Sequence, residues 1–288
     1  MSVGESPLGC PVMAALLALA SSVFWGAADF LGGTAARRRS TWQVVVWSQS
    51  IAAALLVGAV LVTGAWQGIQ PGTWTLWALF AGATGMAGLL TFYAALAQGT
   101  MGVVSPIAAM GVLVPLTVGL ASGERLSHAH AVGVTAAVIG IVLASGPELS
   151  ARSPWKPVAL AAAAALFFGF AIVGVAKGSQ VSVLMTMLVM RVFSFGIFAV
   201  ALFFTPSLRT LTRAEFLPLL TIGVLDVTAN ITYGFATRME ALAIVSVLGS
   251  IYPIVTVALA RFVHKERLAL IQYVGVAVAM AGVAFISL

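Results

Sequence analysis

The chain alternates between long apolar segments and short polar breaks over its whole length. Each apolar segment is continuous and about 20 residues long, without the polar–apolar alternation of a membrane-spanning strand. The breaks contain loop residues: three consecutive arginines end the first segment, and Pro and Ser residues surround the fifth break. The pattern predicts an all-α integral membrane protein with ten transmembrane helices, at residues 11–33, 42–63, 73–97, 102–122, 129–146, 156–176, 182–204, 216–237, 242–260 and 268–288.

Composition excludes a soluble fold. Hydrophobic residues make up 61% of the 288 residues and charged residues only 8%, whereas soluble domains carry about 25% charged residues. Lipid must therefore be the solvent for most of the chain. The formal net charge of +6 comes from Lys and Arg residues in short loops, which indicates membrane topology and argues against nucleic-acid binding. We expect a multi-pass protein of the cell (inner or plasma) membrane.

A repeated motif divides the chain into two homologous halves. An acidic residue, a basic residue and Leu, with glycines seven and fourteen residues after that Leu, occur once in each half, and all five positions share one constant displacement. The motif residues are Glu124, Arg125, Gly133 and Gly140 in the first copy and Glu266, Arg267, Gly275 and Gly282 in the second. The repeat predicts two units, at 11–146 and 156–288, joined by a Pro/Ser-rich linker at 147–155.

Each half contains five predicted helices, so the second half must enter the membrane from the opposite side. Identical folds inserted in opposite directions form an inverted repeat, in which secondary transporters bind their substrates between the halves. The paired glycines of the motif share a helix face and let helices approach closely in lipid. We assign the motif to structure, with Glu124 and Glu266 solvating or capping helix ends.

The doubled motif resembles the EamA-type repeat, and other features fit the same family. They are Trp25-Gly26, Phe168-Gly169, the run Tyr233-Gly234-Phe235-Ala236, and Pro253. Together they resemble a member of the drug/metabolite transporter superfamily over nearly the whole chain, with one departure: Gly111 stands where a Pro is expected, and Pro115 follows four residues later. The resemblance implies a secondary transporter of small metabolites or drugs, such as amino-acid-like or cationic compounds, often moved outward. The chain has no ATP-binding motif, and we expect no cofactor.

Polar groups inside the predicted spans are candidates for a transport pathway. An ionisable side chain at a helix centre costs about 2.5–3.5 kcal/mol on insertion scales. Asp226 lies near the middle of the eighth span, and Asn230 and Tyr233 continue its helix face. Arg191 lies midway along the seventh span, and its counterpart in the first half is Gln49.

Asp29 lies about one turn from the end of the first span, with Trp25 four residues before it. Two interpretations compete for these groups. In the structural one, Arg191 and Asp226 pair with each other or with backbone carbonyls, although a buried ion pair adds little stability over apolar packing. In the functional one, the carboxylates line a water-filled pathway and Arg191 attracts an anionic group of the substrate.

The functional interpretation leads to proton coupling. A low-dielectric cavity disfavours the charged form of a carboxylate, so Asp226 or Asp29 can exchange a proton while the substrate competes for the same site. The expected partners are the lipid bilayer, a small-molecule substrate and protons, with no nucleic acid, for a monomer or homodimer.

Two other functions compete with a transporter. A membrane-embedded enzyme would need an acid, base or metal constellation, and none has catalytic or metal-ligand spacing, so we expect no enzyme and no metal site. A facilitative channel would more commonly be a symmetric oligomer with a ring of charge or a filter loop. Internal duplication favours alternating access within one chain.

The Lys and Arg residues also bear on orientation. Ten lie in loops after odd-numbered spans, whereas three lie in loops after even-numbered spans. Because cytoplasmic loops are enriched in Lys and Arg, the count places both termini outside the cytoplasm. The resemblance implies instead that both termini lie inside.

Overall fold

The computed structural model describes residues 11–144, 155–205, 210–265 and 269–286, and every regular element among them is helical. The predicted all-α class is confirmed. A 3₁₀ turn (Met110–Val112) joins the fourth helix to the fifth, and a π-helical segment (Ala260–His264) extends the eleventh. The helices are α1 (Pro11–Ala36), α2 (Thr41–Thr63), α3 (Thr73–Gln98), α4 (Met101–Ala109), α5 (Leu113–Ala121), α6 (His128–Ala144), α7 (Trp155–Ser179), α8 (Val183–Phe204), α9 (Arg213–Ala236), α10 (Leu242–Gly249), α11 (Tyr252–Leu259) and α12 (Leu270–Ile286).

Within the described ranges, eight helical stretches are long and apolar enough to cross a membrane. Six of them are α1, α2, α3, α7, α8 and α9. The other two are composite: Met101–Ala121 contains α4 and α5, and Leu242–His264 contains α10, α11 and the π-helical segment. Helices α6 and α12 are also apolar but shorter, with 17 residues each.

Local sequence signals explain several helix ends. Helix α2 ends at Gly64, whose φ of 65° lies in the left-handed region that glycine adopts without strain. Helix α8 begins after Ser182, whose side chain accepts a hydrogen bond from the backbone N–H of Met185 at 3.3 Å. Helix α9 begins with a capping box, in which the backbone N–H of Thr212 donates to Glu215 at 2.9 Å.

Proline accompanies the break of one span in each half, at positions that differ by one helical turn in the repeat. Pro253 near the start of α11 cannot donate a hydrogen bond to the carbonyl of Gly249, the last residue of α10. In the first half, Pro115 has the same relation to Gly111, which lies in the 3₁₀ turn between α4 and α5. The departure from the family pattern at Gly111 therefore leaves the break in place, because Pro115 produces it instead.

The two halves interlock along their length. Helix α1 packs against α9, α3 against α7, and α6 against α12, so that each of these pairs joins a helix of the first half to a helix of the second. The core consequently lies between the halves, and large apolar side chains such as Leu61, Val62 and Phe204 are left on the outer surface.

Helices α6 and α12 meet through the glycines of the repeated motif. A Cβ added to Gly140 would collide with the backbone at Gly275, and a Cβ added to Gly282 would collide with the backbone at Gly133. Each contact is therefore a copy of the other with the halves exchanged. Residue numbers rise along α6 as they fall along α12, so the two helices run antiparallel.

Aromatic side chains also make reciprocal contacts, in which the two halves change places. The rings of Trp25 on α1 and Tyr233 on α9 lie 5.4 Å apart, centroid to centroid. Their equivalents, Phe168 on α7 and Phe92 on α3, lie 5.5 Å apart. Equivalent positions of the two halves thus make equivalent contacts across the interface.

Candidate functional site

A cavity of about 90 Å³ lies between the two halves, beside the broken spans. One water molecule needs about 10–15 Å³ by this measure, so the cavity can hold several waters or a small organic group. We use the name polar wall for the lining residues that carry polar side-chain groups, which are Trp25, Asp29, Arg191, Asp226, Asn230, Tyr233, Ser250 and Tyr252. The apolar wall comprises Gly85, Ala108, Ala109, Gly111, Phe168, Ala171, Ile172 and Val175.

Asp226 on α9 accepts hydrogen bonds from three side chains. The guanidinium of Arg191 on α8 donates to its Oδ2 at 2.5 Å, and the amide of Gln49 on α2 donates to the same oxygen at 3.2 Å. Asn230, one turn along α9, donates to Oδ1 at 3.1 Å. Asp226 and Arg191 are both buried, and their opposite charges cancel.

This network is incompletely satisfied. Within the described residues, Arg191 Nε and Gln49 Oε1 are buried and have no hydrogen-bond partner. A buried polar atom left unpaired costs about 1–3 kcal/mol. Stability alone therefore gives a weak account of why these polar groups lie in the membrane.

Asp29 on α1 has a different environment. It is only 8% exposed, yet it has no hydrogen bond and no ion pair among the residues that the structure describes. Gly32, three residues further along α1, leaves room for the ring of Tyr93 on α3. The Asp29 carboxyl group therefore lines the cavity as an ionisable group without a partner among the described residues.

Aromatic rings form much of the surface beside Asp29. The Tyr233 hydroxyl lies 2.7 Å from the Ser246 hydroxyl, which holds the ring against Trp25. The Tyr252 hydroxyl is buried and has no hydrogen-bond partner in the described part of the chain. The arrangement offers a carboxyl group and aromatic faces to anything that enters the cavity.

Comparison with known families adds to this geometry. The model of the EamA-like transporter family matches the chain twice, at residues 12–146 and 155–288. The chain belongs to the EamA-like transporter family. The resemblance to the drug/metabolite transporter superfamily is thereby confirmed, and this EamA-family protein is a multi-pass, transporter-like membrane protein.

Other comparisons concern the fold. Among curated proteins, no sequence matches this EamA-family chain. A crystal structure of another protein is similar, with a TM-score of 0.70 and 18% identity over 94% of this chain and 95% of that chain. At this identity the similarity shows a shared fold and nothing about substrates.

The structure brings most of the predicted pathway residues of this EamA-family protein together. The cavity is lined by Trp25, Asp29, Arg191, Asp226, Asn230 and Tyr233. Gln49 is not in the cavity wall and contacts Asp226 from α2. The Arg191 guanidinium is bound to Asp226, as the structural interpretation expects, and its attraction of an anionic substrate group stays a prediction.

The motif residues have structural contacts where they are described. Both Glu124 carboxylate oxygens accept hydrogen bonds at 3.0 Å, from the backbone N–H groups of Leu242 and Ala243. Glu124 thus caps α10, a helix of the other half. Arg125 is exposed. The motif glycines Gly133, Gly140, Gly275 and Gly282 form the contact between α6 and α12, whereas Glu266 and Arg267 lie outside the described residues.

Sequence reasoning missed the non-polar residues of the cavity. Gly85 and Asp226 are related by nearly the same displacement as the repeated motif, and so are Trp25 and Phe168. The repeat itself therefore marked Gly85 and Phe168 as equivalents of pathway residues. Tyr252 precedes the proline of a broken span, which is the signal that could have identified it.

Proposed function

We propose that this protein is a secondary transporter of the inner or plasma membrane that exports small metabolites or drugs, amino-acid-like or cationic, in exchange for protons. The observation that carries the proposal is the cavity between the halves, which contains the unpartnered Asp29 beside aromatic rings. An intramembrane carboxylate characteristically faces a substrate or ion pathway. One chain supplies the whole cavity, which supports a working unit of one chain, alone or within a homodimer.

The proposal includes ten spans in two inverted repeats. Helices α6 and α12 have 17 residues each, or about 26 Å of helix, close to the ~30 Å hydrocarbon core of a bilayer. Counting them with the eight longer stretches gives five spans in each half. The antiparallel, reciprocal contact between α6 and α12 supports an inverted relation of the halves.

Alternating access is supported by where the cavity lies. Equivalent positions of both halves form its walls, and the two broken spans lie beside it. Discontinuous helices at a repeat interface form the binding sites of inverted-repeat transporters. Rocking one half against the other would open the cavity to each side in turn, and the Glu124 cap on α10 is a contact that such a motion must change.

Proton coupling follows from the two carboxylates of the polar wall. Asp29 is buried without a partner, whereas Asp226 is bound to Arg191. In a low-dielectric cavity a carboxylate can exchange its charge for a proton. The proton gradient can then drive a solute in the opposite direction.

The test is reconstitution of the full chain in liposomes that contain a pH-sensitive dye. Amino acids and cationic drugs are added one at a time, and proton flux is recorded with solute flux, in wild type and in the Asp29→Asn and Asp226→Asn variants. We expect a solute-dependent proton flux that at least one of these variants abolishes. Solute flux without proton flux would contradict coupling, and flux no faster than in protein-free liposomes would contradict transport.

A further inference from the structure

Charge does not balance in the cavity. The lining residues with formal charge are Asp29, Arg191 and Asp226. Arg191 and Asp226 cancel, because their side chains are joined at 2.5 Å. Asp29 has no ion-pair partner among the described residues. Whenever Asp29 is ionised, the buried space therefore contains one uncompensated negative charge.

We propose that Asp29 binds a monovalent organic cation and that a single proton competes for the same carboxylate. The inference rests on the proposed transport function and narrows its substrate class. As the cation enters, the Asp29 carboxylic acid releases its proton to water and the carboxylate takes the cation; release of the cation reverses the step. The cavity is neutral in both states, so exchange of one cation for one proton moves no net charge across the membrane.

Other ligand charges fit the cavity poorly. An anionic group could reach Arg191 only by displacing Asp226, which would leave that carboxylate buried and unpaired. A zwitterion brings no net charge and leaves Asp29 uncompensated. A metal ion needs several ligands, and within the described ranges no cluster of three His, Cys, Asp or Glu residues offers them. A cation with one positive charge compensates Asp29 and leaves the ion pair intact.

The surroundings of Asp29 indicate the shape of this cation. Trp25 lies one turn before Asp29 on the same face of α1, and its ring packs against Tyr233. Aromatic faces attract cations, and substituted ammonium groups are recognised in this way. The apolar wall of the same cavity, with Phe168 and Ile172, suits an apolar substituent. The predicted ligand is an ammonium-type cation with an aromatic or aliphatic body.

The pH dependence of binding that is due to Asp29 must be distinguished from any that is due to neighbouring ionisable groups. Those on helices packed against α1, or close to Asp29 in the cavity, are Tyr93 of α3, Arg191 of α8, Asp226 and Tyr233 of α9, and Tyr252 of α11. His264, in the π-helical segment, contacts Thr34 and Phe30 of α1. Phe30 is the residue that follows Asp29 in the sequence. His264→Gln removes an ionisable ring that contacts α1 but does not line the cavity, so it is the matched control.

Binding to the purified full chain in detergent tests the site directly. The probe is phenyltrimethylammonium, whose charge is permanent, compared with benzoate as an anion and phenylalanine as a zwitterion. Titration calorimetry in two buffers of different ionisation enthalpy counts the protons released. At a pH where Asp29 of the free protein is protonated, we expect one proton released per bound cation and an apparent Kd that rises about tenfold per pH unit of acidification.

The variants decide which carboxylate is responsible. Asp29→Asn should weaken cation binding by about 10- to 100-fold and abolish its pH dependence, because a charge-assisted contact is lost. The variant should fold, since Asp29 has no partner to lose. His264→Gln should keep the wild-type pH dependence. Binding by Asp29→Asn within about twofold of wild type, or preference for benzoate or phenylalanine, would overturn the inference.

Transport in liposomes separates this inference from the proposed function. A potassium diffusion potential of either sign should leave the rate of cation–proton exchange unchanged, and a rate that depends on the potential would overturn one-for-one exchange. Asp29-dependent binding without any flux would uphold the cation site and overturn the transport function. Flux of phenylalanine or benzoate without cation binding would uphold transport and overturn the cation site.

Discussion

Part of the polar wall and part of the apolar wall occupy equivalent positions of the two halves but differ in chemistry. Nearly the same displacement as in the repeated motif relates a polar residue of one wall to an apolar residue of the other in four pairs: Asp29 and Ile172, Asp226 and Gly85, Ser250 and Ala109, and Tyr252 and Gly111. Duplication thus supplied the shape of the cavity, and differences between the copies supplied its polarity. A cavity built in this way suits a ligand with one charged end and one apolar end.

Hydrogen bonding behind the walls differs in the same way. Ser246 and Tyr233 join their hydroxyls at 2.7 Å in the second half. At the equivalent positions of the first half, Ser105 is buried and has no hydrogen-bond partner within the described residues, and Phe92 has no hydroxyl to offer. Equivalent backbone positions therefore carry a serine whose hydroxyl is hydrogen-bonded in the second half, Ser246, and a serine whose hydroxyl is not in the first, Ser105.

The largest effect is expected from filling the cavity at its apolar wall. Gly85→Leu points a side chain into open space, since the nearest atom to an added Cβ is the Ala171 Cβ at 3.7 Å. Transport should fall to near the background rate, measured as solute flux in liposomes. The free energy of unfolding should be unchanged or slightly higher, because leucine is more favourable than glycine within a helix by about 0.5–1 kcal/mol.

Gly196→Leu on the outer surface of α8 is the matched control, because nothing lies within 4 Å of an added Cβ there. It makes the same substitution within a helix but adds no atom to the cavity. Its transport should equal that of wild type. Equal transport by Gly85→Leu would show that the solute takes another path.

A second large effect is expected from removing one charge of the polar wall. Asp226→Asn leaves Arg191 buried without its counter-charge, which should lower the free energy of unfolding by about 3–5 kcal/mol. The double variant with Arg191→Gln places glutamine where the first half has Gln49, and should recover much of that loss. Thermal unfolding in detergent compares the two single variants with the double variant. A double variant as unstable as the sum of the singles would contradict the pairing.

A smaller effect is expected from removing the two equivalent serine hydroxyls. Ser246→Ala leaves the buried Tyr233 hydroxyl unpaired and should cost about 1–3 kcal/mol. Ser105→Ala removes a hydroxyl that is already unpaired, so the free energy of unfolding should be unchanged or slightly higher. Thermal unfolding of the two variants side by side provides the measurement, and equal melting temperatures would argue against this asymmetry.

The smallest effect is expected from the equivalent aromatic residues. Trp25→Leu should weaken binding of phenyltrimethylammonium by about 0.5–2 kcal/mol, because its ring lies on the same face of α1 as Asp29. Phe168→Leu, on the apolar wall, should change the affinity less, because its ring packs against Phe92. Calorimetry on both variants measures the difference. A larger loss from Phe168→Leu would place the charge of the ligand at the apolar wall.

The sequence predicted the class of the fold and most of the polar wall for one physical reason. Charged and amide side chains are rare in membrane spans, so Asp29, Arg191, Asp226 and Asn230 stood out without any knowledge of packing. The doubled motif likewise identified the glycines that join α6 and α12, because close helix contact in lipid depends on small residues.

The contacts that these side chains make with other helices could not be predicted in the same way. Arg191 and Asp226 are on different helices, and only the packing of α8 and α9 decides whether the guanidinium meets the carboxylate or the cavity. Glu124 caps a helix 118 residues further along the chain, which no local turn pattern indicates. Aromatic residues such as Tyr252 are common in apolar spans, so their type alone does not mark a cavity.

A surface that contacts its own copy is the kind that builds symmetric homodimers. Gly140 meets Gly275, and Gly133 meets Gly282, so one half already contains both sides of the contact between α6 and α12. The two halves of this chain therefore meet along α6 and α12 as two copies of one subunit would. For the same reason, two fragments of the present chain, divided between its halves, should associate in a membrane without the peptide bond that joins them.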